Sequence, residues 1–160
     1  MRTNNSKVKN IIISVYYILI VFAVFFATVF SAFSHLTPNP VLTFFLLLAA
    51  FLILFFSIHA VSKYFEYDSD GIKVVVINKG LLLSDYFNYR EHKLEFEKHK
   101  LKAFKFSNYI LYKNLSLYTK SSNGHTQKTT FNVTLVSKKK RRYIRQSLSK
   151  MIKNNLKSTD

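Results

Sequence analysis

Between Asn10 and Ser62 the chain carries no Asp, Glu, Lys or Arg. A third of a chain with no charge has nothing to present to water, so a soluble single-domain fold is excluded. Within this stretch Ile11–Phe33 runs for 23 residues with Ser14, Thr28 and Ser31 as its small polar interruptions. Val41–Val61 runs for 21 with Thr43, Ser57 and His59. At about 1.5 Å per residue the two reach roughly 34 and 32 Å as helices, against a hydrocarbon core of about 30 Å. Arg2, Lys7 and Lys9 precede the first run as they would in a signal peptide. That run is longer than a signal's apolar region, and a second span follows at once, which makes it a retained helix.

Thr37-Pro38-Asn39-Pro40 separates the two runs where a helix must stop and reverse. Residues 1–62 therefore read as a transmembrane helical hairpin. Basic residues flank it at Arg2, Lys7, Lys9, Lys63, Lys73 and Lys79, while the loop 34–40 is uncharged. The positive-inside rule then puts the protein in the cytoplasmic (inner) membrane with both termini cytoplasmic. Ala23, Ala27 and Ser31 recur every four residues on the first span, and Thr43, Ala50 and Ser57 every seven on the second. Such rows let helix backbones approach closely, so they are the expected seam, with the many Phe residues toward lipid. The seam either closes the hairpin on itself or packs against a larger membrane protein, and chance recurrence of small residues competes with both.

Residues 63–160 suffice for one small domain. Lys63–Asp68 and Ile72–Asn78 are strand-like and separated by Ser69-Asp70-Gly71, a hairpin turn; Asn78-Lys79-Gly80 then punctuates before a weaker strand, Leu81–Phe87. From His92, Leu94 and Phe96 alternate with Lys93, Glu95 and Glu97; Leu101–Ser107 and Ile110–Lys120 follow. After a turn at 121–124, Gln127–Val136 places Phe131, Val133 and Leu135 on one face. The period then becomes helical: Ile144, Leu148, Met151 and Ile152 form one stripe of a helix over about 138–156, capped by Ser137. About seven antiparallel strands closed by one amphipathic helix predict an α+β architecture.

This order of elements resembles the bacterial pleckstrin-homology-like membrane proteins, in which a two-helix hairpin precedes such a barrel. The resemblance rests on the hairpin ending in Lys63–Asp68 with a turn at Asp70-Gly71, on Tyr109–Ser121 followed by a glycine turn, and on Phe131–Ser137 leading into the last helix. The proline usual before the family's central strands is absent, and Asn88-Tyr89-Arg90-Glu91 stands in that region, which leaves the register between 85 and 107 open. The resemblance implies a seven-stranded barrel or sandwich plugged by the C-terminal helix, and a membrane-anchored interaction or scaffold module. It brings no catalytic residues and no cofactor.

The net charge of +16 is concentrated: Ser137–Lys157 holds nine Lys or Arg and no acid. Lys138, Lys139, Lys140, Arg141 and Arg142, with Arg145 a turn later, open the helix, where the macrodipole disfavours each cation by about 0.3–1 kcal/mol. An anionic partner would offset that cost, and for an anchored protein the nearest is the cytoplasmic leaflet, worth about 1 kcal/mol per cation. Topology and an A+T-rich composition, with 19 Lys to 5 Arg, explain the run without a ligand. Acidic protein partners and homo-oligomerisation stay open. Nucleic acid is disfavoured, because the aromatics sit on strands that need them for a core.

Enzymatic readings find no support. Gly71, Gly80 and Gly124 are isolated, so no loop cradles phosphate, and zero Cys excludes thiolate chemistry. His92, Glu95 and His99 would share a face only on a helix, whereas the alternation there is that of a strand, with the two His on opposite faces. Glu95 and Glu97 share a face, as an exposed acidic pair balancing Lys93 would. His59, near the end of the second span, reads as an interfacial residue.

Overall fold

The structure, a computed structural model, describes residues 1–33, 35, 38–81, 91–110, 112–121 and 124–157. The chain divides into two compact units, Lys7–Ala60 and Met1–Ser6 with Val61–Asp160.

In the first unit α1 (Lys9–Phe33) and α2 (Pro40–Val61) are two helices long and apolar enough to cross a membrane. Asn39 starts α2: its Oδ1 accepts from Leu42 N at 3.2 Å and its carbonyl from Thr43 N at 3.1 Å. The helices meet through aromatic rings, Tyr16 on Phe55 at 5.1 Å, Phe26 on Phe51 at 5.9 Å and Phe30 on Phe44 at 6.0 Å, in antiparallel order. Part of the Phe set expected to face lipid is thus between the helices. Aromatic rings take part in the contact between the helices beside the small residues.

The second unit holds two antiparallel sheets and a helix. β1 (Arg2–Asn4), β2 (Lys63–Asp68), β3 (Lys73–Gly80) and β4 (His92–Glu97) form one sheet in that order. β5 (Leu101–Asn108), β6 (Lys113–Lys120) and β7 (Thr126–Asn132) form the other. α3 (Lys138–Lys157) follows, so the α+β architecture and its closing helix are as expected. The closed barrel is not found among the described residues. The 3₁₀ turn Lys98–Lys100 sends the chain from β4 into the other sheet, and β4 and β5 do not pair.

β1 is the strand that the sequence hid. Three residues ahead of the first helix pair with β2, Arg2 opposite Asp68 and Asn4 opposite Glu66. Asn5, 2 % exposed, completes the join: its Oδ1 accepts from Phe65 N at 2.9 Å and its Nδ2 donates to Lys63 O at 2.9 Å. The chain therefore leaves this unit and re-enters it through a hydrogen-bonded pair of segments.

Several strand boundaries differ from the pattern reading. β3 runs through Gly80, which pairs with Lys63, because the ladder to β2 outweighs the turn propensity of Asn78-Lys79-Gly80. β7 stops at Asn132, and a turn in which Val136 N donates to Val133 O at 3.1 Å buries Val136 in place of Leu135. The expected strand Leu81–Phe87 lies, beyond Leu81, outside the described residues.

One core joins the layers. Phe65, Tyr67, Val74, Val76 and Phe96 from one sheet meet Leu115, Leu117, Phe131 and Val133 from the other. Ile144, Leu148 and Met151 of α3 lie against both, with Ile152 partly buried beside them, which is the predicted stripe. Two polar joints fix the layers. Asn78 on β3 donates to Tyr64 O at 2.8 Å and Asn132 O at 3.2 Å and accepts from Asn132 N at 3.1 Å, tying sheet to sheet. Asn155 on α3 donates to the carbonyls of Lys98 and Leu101 at 2.9 and 3.1 Å, tying the helix to the connection between the sheets.

Candidate functional site

The first half of α3 carries the densest charge, and the fold sorts it. Ser137 caps the helix as its sequence suggests, its Oγ accepting from Lys140 N at 3.4 Å and its carbonyl from Arg141 N at 3.0 Å. Positions 138, 141, 142 and 145 then share one face by helical spacing, next to the apolar stripe. That face stands over the end of the β5–β6 hairpin. Together Lys138, Arg141, Arg142, Arg145 and Gln146 line a groove of about 590 Å³ with Phe106, Asn108 and Lys113.

Five cations converge on this groove, and among the described residues none of them has an ion-pair partner. The Arg145 guanidinium lies 5.2 Å from the Phe106 ring centre, close enough for a cation–π contact that orients it along the groove wall. Arg141 is half-buried, and its Nη1 is shielded from solvent with no hydrogen-bond partner. A buried donor without an acceptor costs about 1–3 kcal/mol, so the guanidinium sits there at the expense of stability, and its charge, with the other four, is what an anion in the groove would offset. The volume is that of a small-molecule site, and its chemistry is a set of donors with no carboxylate among them.

The remaining members of the basic run do other things. Lys140 turns away and its Nζ donates to Asn4 O at 2.6 Å, holding β1 against the helix. Lys139 is 6.0 Å from the Tyr143 ring centre and borders a second, shallower basic hollow with Lys138, Arg142, Tyr143 and Gln146. Sequence reading missed Phe106, Asn108, Lys113 and Gln146. Lys113 is the costliest omission: strand alternation gives it no distinction, and only the packing of α3 across β5 and β6 brings it to the groove.

In the helical unit Ala23 and Ala27 line an apolar cleft of about 120 Å³ with Phe26, Phe30, Phe44, Leu47, Leu48 and Phe51. Thr43 bonds locally, its Oγ1 donating to Asn39 O at 3.0 Å, and Ala50 and Ser57 are exposed and do not line the cleft. Ser31 lies within α1, its side chain outside the described set.

The residues weighed for metal or acid–base chemistry are engaged elsewhere. Glu95 accepts from Lys73 Nζ at 3.0 Å, and that hydrogen bond and charge hold its carboxyl below the usual range. His99 Nε2 is 3.2 Å from Glu97, and the His92 ring packs 4.9 Å from that of Phe131. No group of three His, Cys, Asp or Glu is placed to hold a metal among the described residues. On β2, Glu66 accepts from Arg2 of the edge strand β1 at 2.8 Å and from Tyr64 OH at 2.7 Å. Burial first, and then the bond to Glu66, push the Tyr64 phenol up to about 12.

No protein-family model, no curated protein and no solved structure matches this chain.

Proposed function

We propose that this protein is a non-enzymatic, membrane-anchored interaction module of the pleckstrin-homology-like kind, whose basic face engages anionic lipid headgroups on the cytoplasmic side of the inner membrane. The groove of Lys113, Lys138, Arg141, Arg142 and Arg145 carries the reading, because five cations gathered without an acid are unfavourable until an anion arrives. The helical unit supplies the anchor: no residue of α2 is buried, and most large apolar side chains of α1 and α2 keep about half of their surface exposed in the isolated chain, which a bilayer would cover. Same-side termini are supported by charge placement and by Asn5, whose bonds to Lys63 and Phe65 need both ends of the hairpin on one side. A single residue, Ser62, separates α2 from β2, so the β unit stays within reach of the leaflet and weak contacts become effective.

The test uses the full chain in nanodiscs. The chain has no cysteine, so Gln146→Cys gives a unique labelling position beside the groove. Energy transfer from that label to a headgroup dye is expected to be larger in discs containing phosphatidylglycerol than in pure phosphatidylcholine. It should fall with salt and be lost when Lys138, Arg141, Arg142 and Arg145 are changed to Gln. Equal transfer in both discs overturns the proposal.

A further inference from the structure

The groove has an unusual neighbour. Asn108 and Lys113, which line it, are the paired last and first residues of β5 and β6, and between them the chain turns through Tyr109, Ile110 and Tyr112. Tyr109 N donates to Tyr112 O at 2.9 Å, and the two Tyr rings stack 4.6 Å apart. The turn is thereby closed and stiffened without a glycine or proline. Ile110 at its apex is fully exposed, and Tyr109 and Tyr112 are about half exposed. An aliphatic apex flanked by two stacked tyrosines is poorly suited to water, and Tyr is the residue that favours the headgroup level of a bilayer.

We infer that the β5–β6 turn and the basic groove form one membrane-docking site, in which Tyr109, Ile110 and Tyr112 enter the bilayer interface while the groove takes the phosphate of an anionic lipid. The inference rests on the lipid reading above and deepens it from surface attraction to a defined geometry. Two independent features converge: cations without an ion-pair partner among the described residues, which call for an anion, and an apolar tip, one residue from the groove lining on each side, that calls for a non-aqueous neighbour. A soluble acidic partner would satisfy the cations alone and leave Ile110 in water. A bilayer carrying acidic headgroups satisfies both within the height of one interface.

Depth at position 110 decides the matter. Ile110→Cys in the full chain carries an environment-sensitive fluorophore, and the nanodiscs contain lipid with a nitroxide on the acyl chain near the carbonyls. His125→Cys, at the other end of the three-stranded sheet, is the control, and Gln146→Cys reports approach of the groove. We expect a blue shift and strong quenching at position 110 in phosphatidylglycerol discs, and little at 125. The docked-to-undocked ratio should fall about fivefold for each groove cation changed to Gln. Approach at position 146 without quenching at position 110 overturns this inference and leaves the proposed function standing. Quenching at 110 that is equal in neutral discs overturns the joint site, because insertion would then need no anion. No response at either position overturns both.

Discussion

Asn78→Ala tests whether the two sheets are held as a unit by one side chain. The wild-type amide makes three hydrogen bonds, two as donor to Tyr64 O and Asn132 O and one as acceptor from Asn132 N. Each is worth about 1 kcal/mol net, and truncation leaves Asn132 N–H without its partner. Asn78 is half-buried, so water replaces part of what is lost and the expected cost is about 2–3 kcal/mol. With a urea slope of about 2 kcal/mol/M, the middle of the usual range, the unfolding midpoint of the full chain in detergent should drop by about 1–1.5 M. Near-ultraviolet circular dichroism of the tyrosines reports the β unit, which is where most of them lie. Asn78→Asp sharpens the test. Its carboxylate would face two carbonyls, which raises its folded-state pKa, so stability should be better below the ordinary carboxyl pKa and fall as pH rises through that shifted value. A loss under about 0.5 kcal/mol for Asn78→Ala, the range of ordinary surface changes, would refute the inter-sheet joint and leave the apolar core as the sole link.

Other outcomes follow from the same packing. Leu148→Ala, at a fully buried position where α3 meets the core, should cost about 3–5 kcal/mol in the same urea experiment; a cost near 1 would mean that the helix is only loosely seated. Asn5→Ala should cost about 2–3 kcal/mol and expose β1 to hydrogen exchange, since it strands Phe65 N–H; unchanged exchange at residues 2–4 would remove its role as the join. Tyr64 has a phenol pKa raised from 10.0 to about 12 in the folded protein, so it contributes stability that is complete below pH 10 and lost as pH rises toward 12. The alkaline loss should be smaller in Tyr64→Phe, with the phenolate absorbance that appears near pH 12 reduced; an identical alkaline profile would exclude Tyr64 as its source.

The legible parts of this fold are those where local pattern and tertiary demand coincide. The charge-free stretch, the Pro38–Pro40 reversal and the Ile144–Met151 stripe each record burial or its absence residue by residue, so periodicity finds them. The Leu94/Phe96 alternation is equally direct. β1 was illegible because Arg2, Thr3 and Asn4 carry no apolar period; they become a strand only because β2, some sixty residues on, offers an edge. Of the barrel or sandwich expected, the described residues form two sheets and no closed barrel, for a related reason. Most individual strands after the hairpin are written in the sequence, but which strand follows across a connection depends on a 3₁₀ turn at Lys98–Lys100 that propensity does not mark. For the site, clustering of charge was visible and its division of labour was not. A helical wheel places 138, 141, 142 and 145 together, yet nothing along the chain says that Lys113 joins them or that Lys140 leaves.

That division predicts opposite phenotypes for neighbouring lysines and arginines. Lys140 donates a charge-assisted bond to Asn4 O, so Lys140→Gln should lower stability by about 1–2 kcal/mol while groove docking on anionic discs is retained. Arg141 and Arg142 stand near the positive end of the α3 dipole among like charges, and Arg141 Nη1 is a buried donor without an acceptor. Arg141→Met keeps the apolar stem and removes that donor and its charge. It should therefore raise stability by about 1 kcal/mol and weaken the response to phosphatidylglycerol in the same preparation. A residue whose removal helps folding and harms binding is retained for the ligand, so the pairing of the two measurements carries the conclusion. If Arg141→Met destabilises the chain as Lys140→Gln does, the guanidinium is a structural contact, and the groove loses the feature that marks it as built for an anion.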